Sequence, residues 1–140
     1  MSPPAKRPTP KTAKTTITTS ARSQAATAKR IQQRAQTIIT TLETHKAETI
    51  TQIDMRHTSI MDVMIIATGT STTHLGALRD HVLRRLKRYR KAPPTRLEGN
   101  GTRWLVLDMG DIVLHLFTAE MRALYDLEKL WQKVDPVDSL

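Results

Sequence analysis

A small group of carboxylates and histidines comprises the side chains best suited to catalysis or metal binding: Asp62, His74, Asp108, Asp111 and His115. Nucleotidyltransferases hold metal through two carboxylates two residues apart on a strand, because such residues project from one face. Asp108 and Asp111 are three residues apart and lie on either side of a turn, so alternation does not bring them together. The sequence therefore predicts a protein that is not an enzyme and has no cofactor or metal site.

Two other polar features have ordinary structural explanations. The Gly69–Ser71 turn lies between a strand and a helix, a geometry that can present backbone N–H groups to a phosphate. It lacks the lysine and the additional glycines of phosphate-binding motifs, and helix capping explains its hydroxyl groups. His115 lies inside the apolar strand IVLHLF, where a histidine with a structural hydrogen bond is commoner than a ligand. Nucleotide binding is kept as an alternative function.

The elements that position these residues follow from the spacing of apolar side chains. The pattern predicts a helix over 23–46, strands at 48–55 and 63–67, a helix over 73–89, an edge strand at 95–98, a hairpin formed by RWLVLD and IVLHLF, and a final amphipathic helix capped by Thr118. Met121, Leu124, Leu127 and Leu130 recur at helical spacing in that helix. The fold class predicted is α/β (α+β), a single domain with a mixed sheet of about five strands flanked by helices.

Charge is distributed unevenly along the chain. Eight of the 22 basic residues, and none of the 13 acidic ones, lie in the first 42 positions. We predict a disordered basic tail at residues 1–22, a domain at 23–135 and a C-terminal tail at 136–140. The basic tail is suited to contact RNA phosphates, but a solubilising or targeting extension has the same composition. The chain has no cysteine, which favours the cytoplasm, with an organelle as the minority alternative, and no segment resembles a membrane span.

The predicted helix over 73–89 carries a second basic surface. Arg84, Arg85 and Arg88 belong to a cluster of seven basic residues accompanied by one acidic residue, Asp80. Charged helix faces are usually only solvated, so a contact with RNA is one of two interpretations of these arginines. A general RNA-binding module is accordingly a third functional hypothesis.

Aromatic residues are concentrated in one segment. They make up only 4% of the chain, yet both tryptophans, Phe117 and Tyr125 lie between positions 103 and 131. A large aromatic residue on an edge strand is typical of an interface anchor, so Trp104 is predicted to bind a partner, with a core position as the alternative. Met109 is expected to be exposed at the tip of the hairpin, where a flexible thioether would suit an interface.

Four stretches together resemble a known family: HKAETITQIDM, IMDVMIIATGTSTTHLGALRDHV, LEGNGTRWLVLDMGDIVLHLF and MRALYDLEKLW. They resemble the Iojap or ribosomal silencing factor (RsfS) family across about residues 37–132. The resemblance implies a nucleotidyltransferase-like fold without that activity. It also implies binding to the large ribosomal subunit through its ribosomal protein fourteen, which blocks joining of the small subunit and represses translation.

The resemblance also suggests which residues bind that partner. The docking surface of the family corresponds here to the hairpin and the following helix, with Trp104, Asp108, Met109, Leu116, Arg122 and Tyr125 as the expected partner-binding residues. Val63 and Met109 depart from the residues that many members have at these positions. The long basic tail is not part of the family core, and a homodimer of the free protein is left open.

Overall fold

The computed structural model describes residues 9–89, 95–99 and 102–132. The predicted C-terminal tail at 136–140 and residues 1–8 of the predicted N-terminal tail lie outside the described residues. The elements are α1 (Thr9–Thr44), β1 (Glu48–Asp54), β2 (Val63–Gly69), α2 (Thr72–Leu86), β3 (Arg96–Gly99), β4 (Trp104–Asp108), β5 (Ile112–Thr118), α3 (Ala119–Tyr125) and α4 (Leu127–Gln132).

The five strands form one mixed sheet in the order β1-β2-β5-β4-β3. Only the central pair, β2 and β5, is parallel, and the other three pairs are antiparallel. Every residue of β2 is buried, as expected for a central strand that is covered on both faces. This sheet confirms the predicted single domain with a mixed sheet of about five strands and helices on its faces.

Alternation along the strands separates two apolar layers. On one face, Ile53, Met64, Ile66 and Phe117 form a buried cluster with Met55, and half-buried Trp104, Met121 and Leu127 pack against it. The intervening residues of the same strands, such as Ile65 and Leu114, point to the opposite face and are fully buried. Helix α2 packs on β2, β5 and β4, and contributes the buried residues Leu75, Leu78 and Val82.

Helix α1 begins at Thr9, earlier than the start predicted at Ser23. Pro10 is compatible with the first helical turn, and positions 11–44 contain neither glycine nor proline, so nothing in the sequence interrupts the helix. Met1–Gln32 and Gln33–Leu140 are separate units, and the sheet lies in the second. The predicted boundaries of the tail and the domain stay predictions. Within the described residues, no helix combines the length and apolarity that crossing a membrane requires.

The C-terminal helical segment consists of two short helices, where the sequence predicts one. Asp126, which has a φ of 48°, ends α3 in the left-handed conformation, and α4 starts at the next residue. The break changes the helical phase of α4 relative to α3, so the four leucine and methionine residues at helical spacing do not form the apolar face of one continuous helix. Leu124 is 72% exposed and Leu130 is 57% exposed. The predicted N-cap is confirmed, since the Thr118 hydroxyl accepts a hydrogen bond from the backbone N–H of Met121.

Candidate functional site: an aromatic docking surface

Trp104 is the centre of an aromatic cluster at the start of β4. Its ring contacts Phe117 edge-on, with centroids 4.8 Å apart, and lies 4.6 Å from the ring of Tyr125 on α3. Phe117 is fully buried, Trp104 is half-buried and Tyr125 is 42% exposed, so the cluster runs from the core to the solvent. We call the solvent-facing part, formed by Trp104 and Tyr125, together with exposed Leu124, which precedes Tyr125 on α3, the aromatic surface.

A hydrogen bond fixes the orientation of the Trp104 ring. The indole N–H donates to Nδ1 of His115 at 3.0 Å, across the β4–β5 pair. An Nδ1 that accepts requires a neutral imidazole, and burial lowers the pKa of His115 from 6.5 to about 4, against a smaller opposing effect of Asp108. This confirms His115 as a structural histidine. It also gives His115 a positioning role that the sequence alone did not reveal.

The low pKa of His115 makes the stability of the domain dependent on pH. The folded state binds a proton less readily than the unfolded state, whose histidine pKa is about 6.5. The contribution of neutral His115 is therefore complete above that value and is lost as the pH falls from about 6.5 to about 4. We expect the free energy of unfolding to fall by about 2–3 kcal/mol over this range.

Denaturant titrations at a series of pH values measure this loss. The variant His115→Leu removes the titrating group and should show a distinctly shallower decline between pH 6.5 and 4, although its stability at neutral pH is lower. Equal declines in the two proteins would show that His115 does not carry the effect.

Arg122 joins the two C-terminal helices to the sheet. Its side chain is buried and donates to Glu128 Oε1 at 2.8 Å, Thr68 Oγ1 at 2.8 Å and Thr51 Oγ1 at 3.0 Å, as well as to the carbonyl oxygen of Thr49. The hydrogen bond from Arg122 is the main cause that lowers the pKa of Glu128. These contacts occupy the guanidinium group, so Arg122 is a structural residue, which corrects its predicted place on the partner-binding surface.

Burial also corrects two other predicted partner-binding residues. The expectation that Met109 is exposed is wrong, because only 1% of it is exposed, and Leu116 is fully buried. The cause is strand alternation: Met109 follows Leu105 and Leu107 on the face opposite Trp104, and Leu116 pairs with Leu105 on that same face. Neither side chain is accessible to a partner in this conformation.

The carboxylates considered for catalysis are engaged in local structure. Asp111 accepts two hydrogen bonds from Arg34 on α1, at 3.0 and 2.5 Å, which fixes the helix to the hairpin turn. Asp108 is partly buried, accepts from the backbone N–H of Gly110 at 2.8 Å and pairs with Arg96 on β3. Among the residues that the structure describes, no three histidine or acidic side chains are grouped so that they could hold a metal ion.

The Gly69–Ser71 turn is explained by packing and capping. A Cβ atom at Gly69 would lie 2.6 Å from Leu75 Cδ2, so glycine permits the close approach of α2 to the sheet. Ser71 caps the helix by accepting from the N–H of His74 at 3.0 Å, and the N–H of Thr70 donates to His74 Nδ1 at 2.9 Å. Because the Thr70 and His74 N–H groups already have partners, the turn offers an anion fewer hydrogen-bond donors than its sequence suggests.

The remaining predicted site residues lie on α2 and the turn that follows it. Arg84, Arg85 and Arg88 are exposed. The structure thus groups Trp104 with Tyr125 and places Asp108 further along the same strand, while the three arginines form a separate basic surface. The sequence analysis missed Leu124 as a surface residue, and it offered no signal for the helix break at Asp126.

Comparisons with known proteins agree with the resemblance noted in the sequence. A family model described as "Ribosomal silencing factor during starvation" matches residues 28–140. The ribosomal silencing factor RsfS of Halalkalibacterium halodurans is 32% identical over 109 residues, which cover 76% of this chain and 92% of that protein. A crystal structure of a Chromobacterium violaceum protein aligns with a TM-score of 0.68 and 34% identity, covering 73% of this chain and 86% of that chain.

A eukaryotic relative extends the comparison to organelles. The mouse protein named "Mitochondrial assembly of ribosomal large subunit protein 1" is 40% identical over 81 residues, which cover 56% of this chain and 34% of the mouse protein. The family model spans most of the chain, and its match includes the sheet, α2 and the aromatic surface. The chain therefore belongs to the ribosomal silencing factor (RsfS) family.

Proposed function

We propose that this chain binds the large ribosomal subunit and thereby prevents the small subunit from joining, which lowers translation. Family membership supports a ribosome-associated role in translational regulation. The relatives are named as regulatory factors, which agrees with a mechanism based on binding and not on catalysis. The chain would act wherever its ribosomes are, in the cytoplasm or, as the name of the mouse relative indicates for that protein, in mitochondria.

The aromatic surface is the observation that carries this proposal. Interfaces are dominated by a few large side chains, with Trp and Tyr enriched, that enter pockets of the partner. Tyr125 and Leu124 are exposed, and Trp104 beneath Tyr125 is held by His115 and Phe117. A side chain that is already ordered loses little conformational entropy on binding, so the surface is prepared for a protein partner. We propose ribosomal protein fourteen of the large subunit as that partner.

The proposed mechanism is steric. A domain that binds through the aromatic surface would cover the face of the large subunit that the small subunit approaches. Its presence there would alone inhibit association of the two subunits. The inhibition requires no substrate and no chemical step. The degree of inhibition should therefore follow the fraction of large subunits that carry the protein. An excess of small subunits should compete with the protein for the large subunits.

Light scattering of purified subunits tests this function. Added protein should slow and reduce subunit association, with half inhibition near the concentration at which it occupies half of the large subunits. Protein that is preincubated with large subunits should inhibit association at concentrations at which protein preincubated with small subunits does not. Binding to large subunits without any change in association would contradict the blocking mechanism.

A further inference from the structure

An open cavity of about 410 Å³ lies between the C-terminal half of α1 and the end of α2 with the turn that follows it. Amide and hydroxyl side chains of α1, including Gln33, Gln36 and Thr40, form one wall. Arg85, Arg88 and Tyr89 contribute to the other. Small-molecule pockets are mostly lined by apolar side chains. The residues that line this cavity are polar, basic or aromatic and include no carboxylate, although the apolar parts of their side chains form much of its surface.

The two arginines of the cavity are available for an anionic ligand. Five ion pairs occur among the described residues, and neither Arg85 nor Arg88 takes part in any of them. Both arginines are exposed, and Arg88 lies in the turn after α2, where its backbone N–H donates to the carbonyl oxygen of Arg85 at 3.4 Å. The arrangement therefore places two positive charges, without acidic partners among the described residues, beside a row of neutral hydroxyl and amide side chains, several of which already donate a hydrogen bond within α1.

A histidine is also part of the cavity lining. The imidazole of His45 lines the cavity and stacks on that of His81, with ring centroids 3.5 Å apart and planes 7° from parallel. Desolvation by partial burial is the largest cause that lowers the pKa of His45. Electrostatic interactions with His81, Arg85 and Arg84 lower it further. Besides burial, the positive charges of Arg85 and Arg84 disfavour a proton on His45, and a bound anion would offset that effect.

We infer that this cavity, defined by Gln33, Gln36, Thr40, Arg85, Arg88 and Tyr89, is a binding site for the phosphodiester backbone of RNA. Arginine, threonine, glutamine and tyrosine are the side chains that contact nucleic-acid phosphates and sugars. The polar wall extends from Gln33 to Thr44, which corresponds to about 16 Å of helix, longer than one phosphate group requires. Exposed Arg84 and Lys87 continue the positive surface beyond the cavity, which favours a polymer over a small anion.

This inference deepens the proposed function, since it gives a ribosome-bound chain a second contact, with RNA, distinct from the aromatic surface. The test uses the full chain and a fluorescein-labelled oligouridylate without ribosomes. Failure of this test is therefore distinguishable from failure of docking at the aromatic surface, which is measured with large subunits.

The double variant Arg85→Ala/Arg88→Ala should weaken binding of the oligouridylate by at least about tenfold and reduce the slope of log affinity against log salt by about 1.4, since about 0.7 is lost per phosphate contact. The control variant Lys29→Ala/Lys129→Ala removes the same charge from exposed positions outside the cavity and outside the predicted basic tail, and it should change affinity by less than about threefold. Gln36→Ala/Thr40→Ala should weaken binding without altering the salt slope. Circular dichroism verifies that each variant is folded.

Two results would overturn the assignment. Equal losses in the two charge-removal variants would show that binding reflects overall charge and not the cavity. Displacement of the oligouridylate by inorganic phosphate, at an equal concentration of phosphate groups, would identify a small-anion site in place of an RNA site.

Discussion

Replacement of Arg122 by alanine is expected to lower the free energy of unfolding by about 2–4 kcal/mol, because it removes one partner of a partly buried ion pair and the donor of hydrogen bonds to three other groups. Glu128 would lose its main hydrogen-bond donor, and the hydroxyl of Thr68 and the carbonyl of Thr49 would lose theirs. These groups connect β1 and β2 to α3 and α4, so the two C-terminal helices should detach from the sheet before the rest unfolds.

Urea denaturation and hydrogen exchange measure this effect. A smaller loss is expected for Glu128→Gln, which keeps an acceptor for the Arg122 Nε–H and removes only the charge. The exposed pair Arg56–Asp54 serves as the control, since Arg56→Ala removes an ion pair on the surface and should cost less than about 1 kcal/mol. A loss for Arg122→Ala as small as that for Arg56→Ala would contradict the structural role of Arg122.

The double variant Leu124→Ala/Tyr125→Ala is expected to weaken binding to isolated large subunits by at least about 100-fold, since each central interface residue contributes about 2 kcal/mol or more. Leu124 is exposed and Tyr125 is partly exposed against the ring of Trp104, so their truncation should cost less stability than the loss of a core side chain. Trp104 is a less suitable target, because its removal would leave Nδ1 of His115 without a donor and a void beside Phe117.

Co-sedimentation with large subunits measures the affinity of this variant. Ile60→Ala and Leu97→Ala are matched controls, since both remove exposed aliphatic side chains away from the aromatic surface. Ile60 precedes β2 at the end of the sheet opposite Trp104, and Leu97 lies on the other face of the edge strand. Undiminished binding of the double variant would exclude the aromatic surface as the docking site.

The sheet could be predicted from the sequence because its signals are local. The run VMIIA is continuously apolar, as a central strand requires, and Gly110, with a φ of 84°, provides the hairpin turn. The break between α3 and α4 has no such signal. The break depends on the left-handed backbone conformation of Asp126. A glycine at this position would have indicated such a conformation in the sequence, but an aspartate does not.

The site could be predicted only in part, for reasons that concern long-range contacts. The aromatic content of the segment identified Trp104 and Tyr125, and the structure places their rings together. Burial of Met109 depends on which strand face the helices cover, and the role of Arg122 depends on Thr51 and Thr68, which are distant in sequence. Such pairings between separate elements are not visible in the spacing of residues along one element.

Site-specific photo-cross-linking to the large subunit tests the docking surface most directly. A benzophenone-bearing amino acid would replace Tyr125 in one variant and Ile60 in another, and mass spectrometry would identify the cross-linked protein. We predict that the probe at position 125 cross-links to ribosomal protein fourteen of the large subunit and that the probe at position 60 does not. Cross-linking to that protein from position 60 and not from position 125, with both variants bound to the subunit, would contradict docking through the aromatic surface.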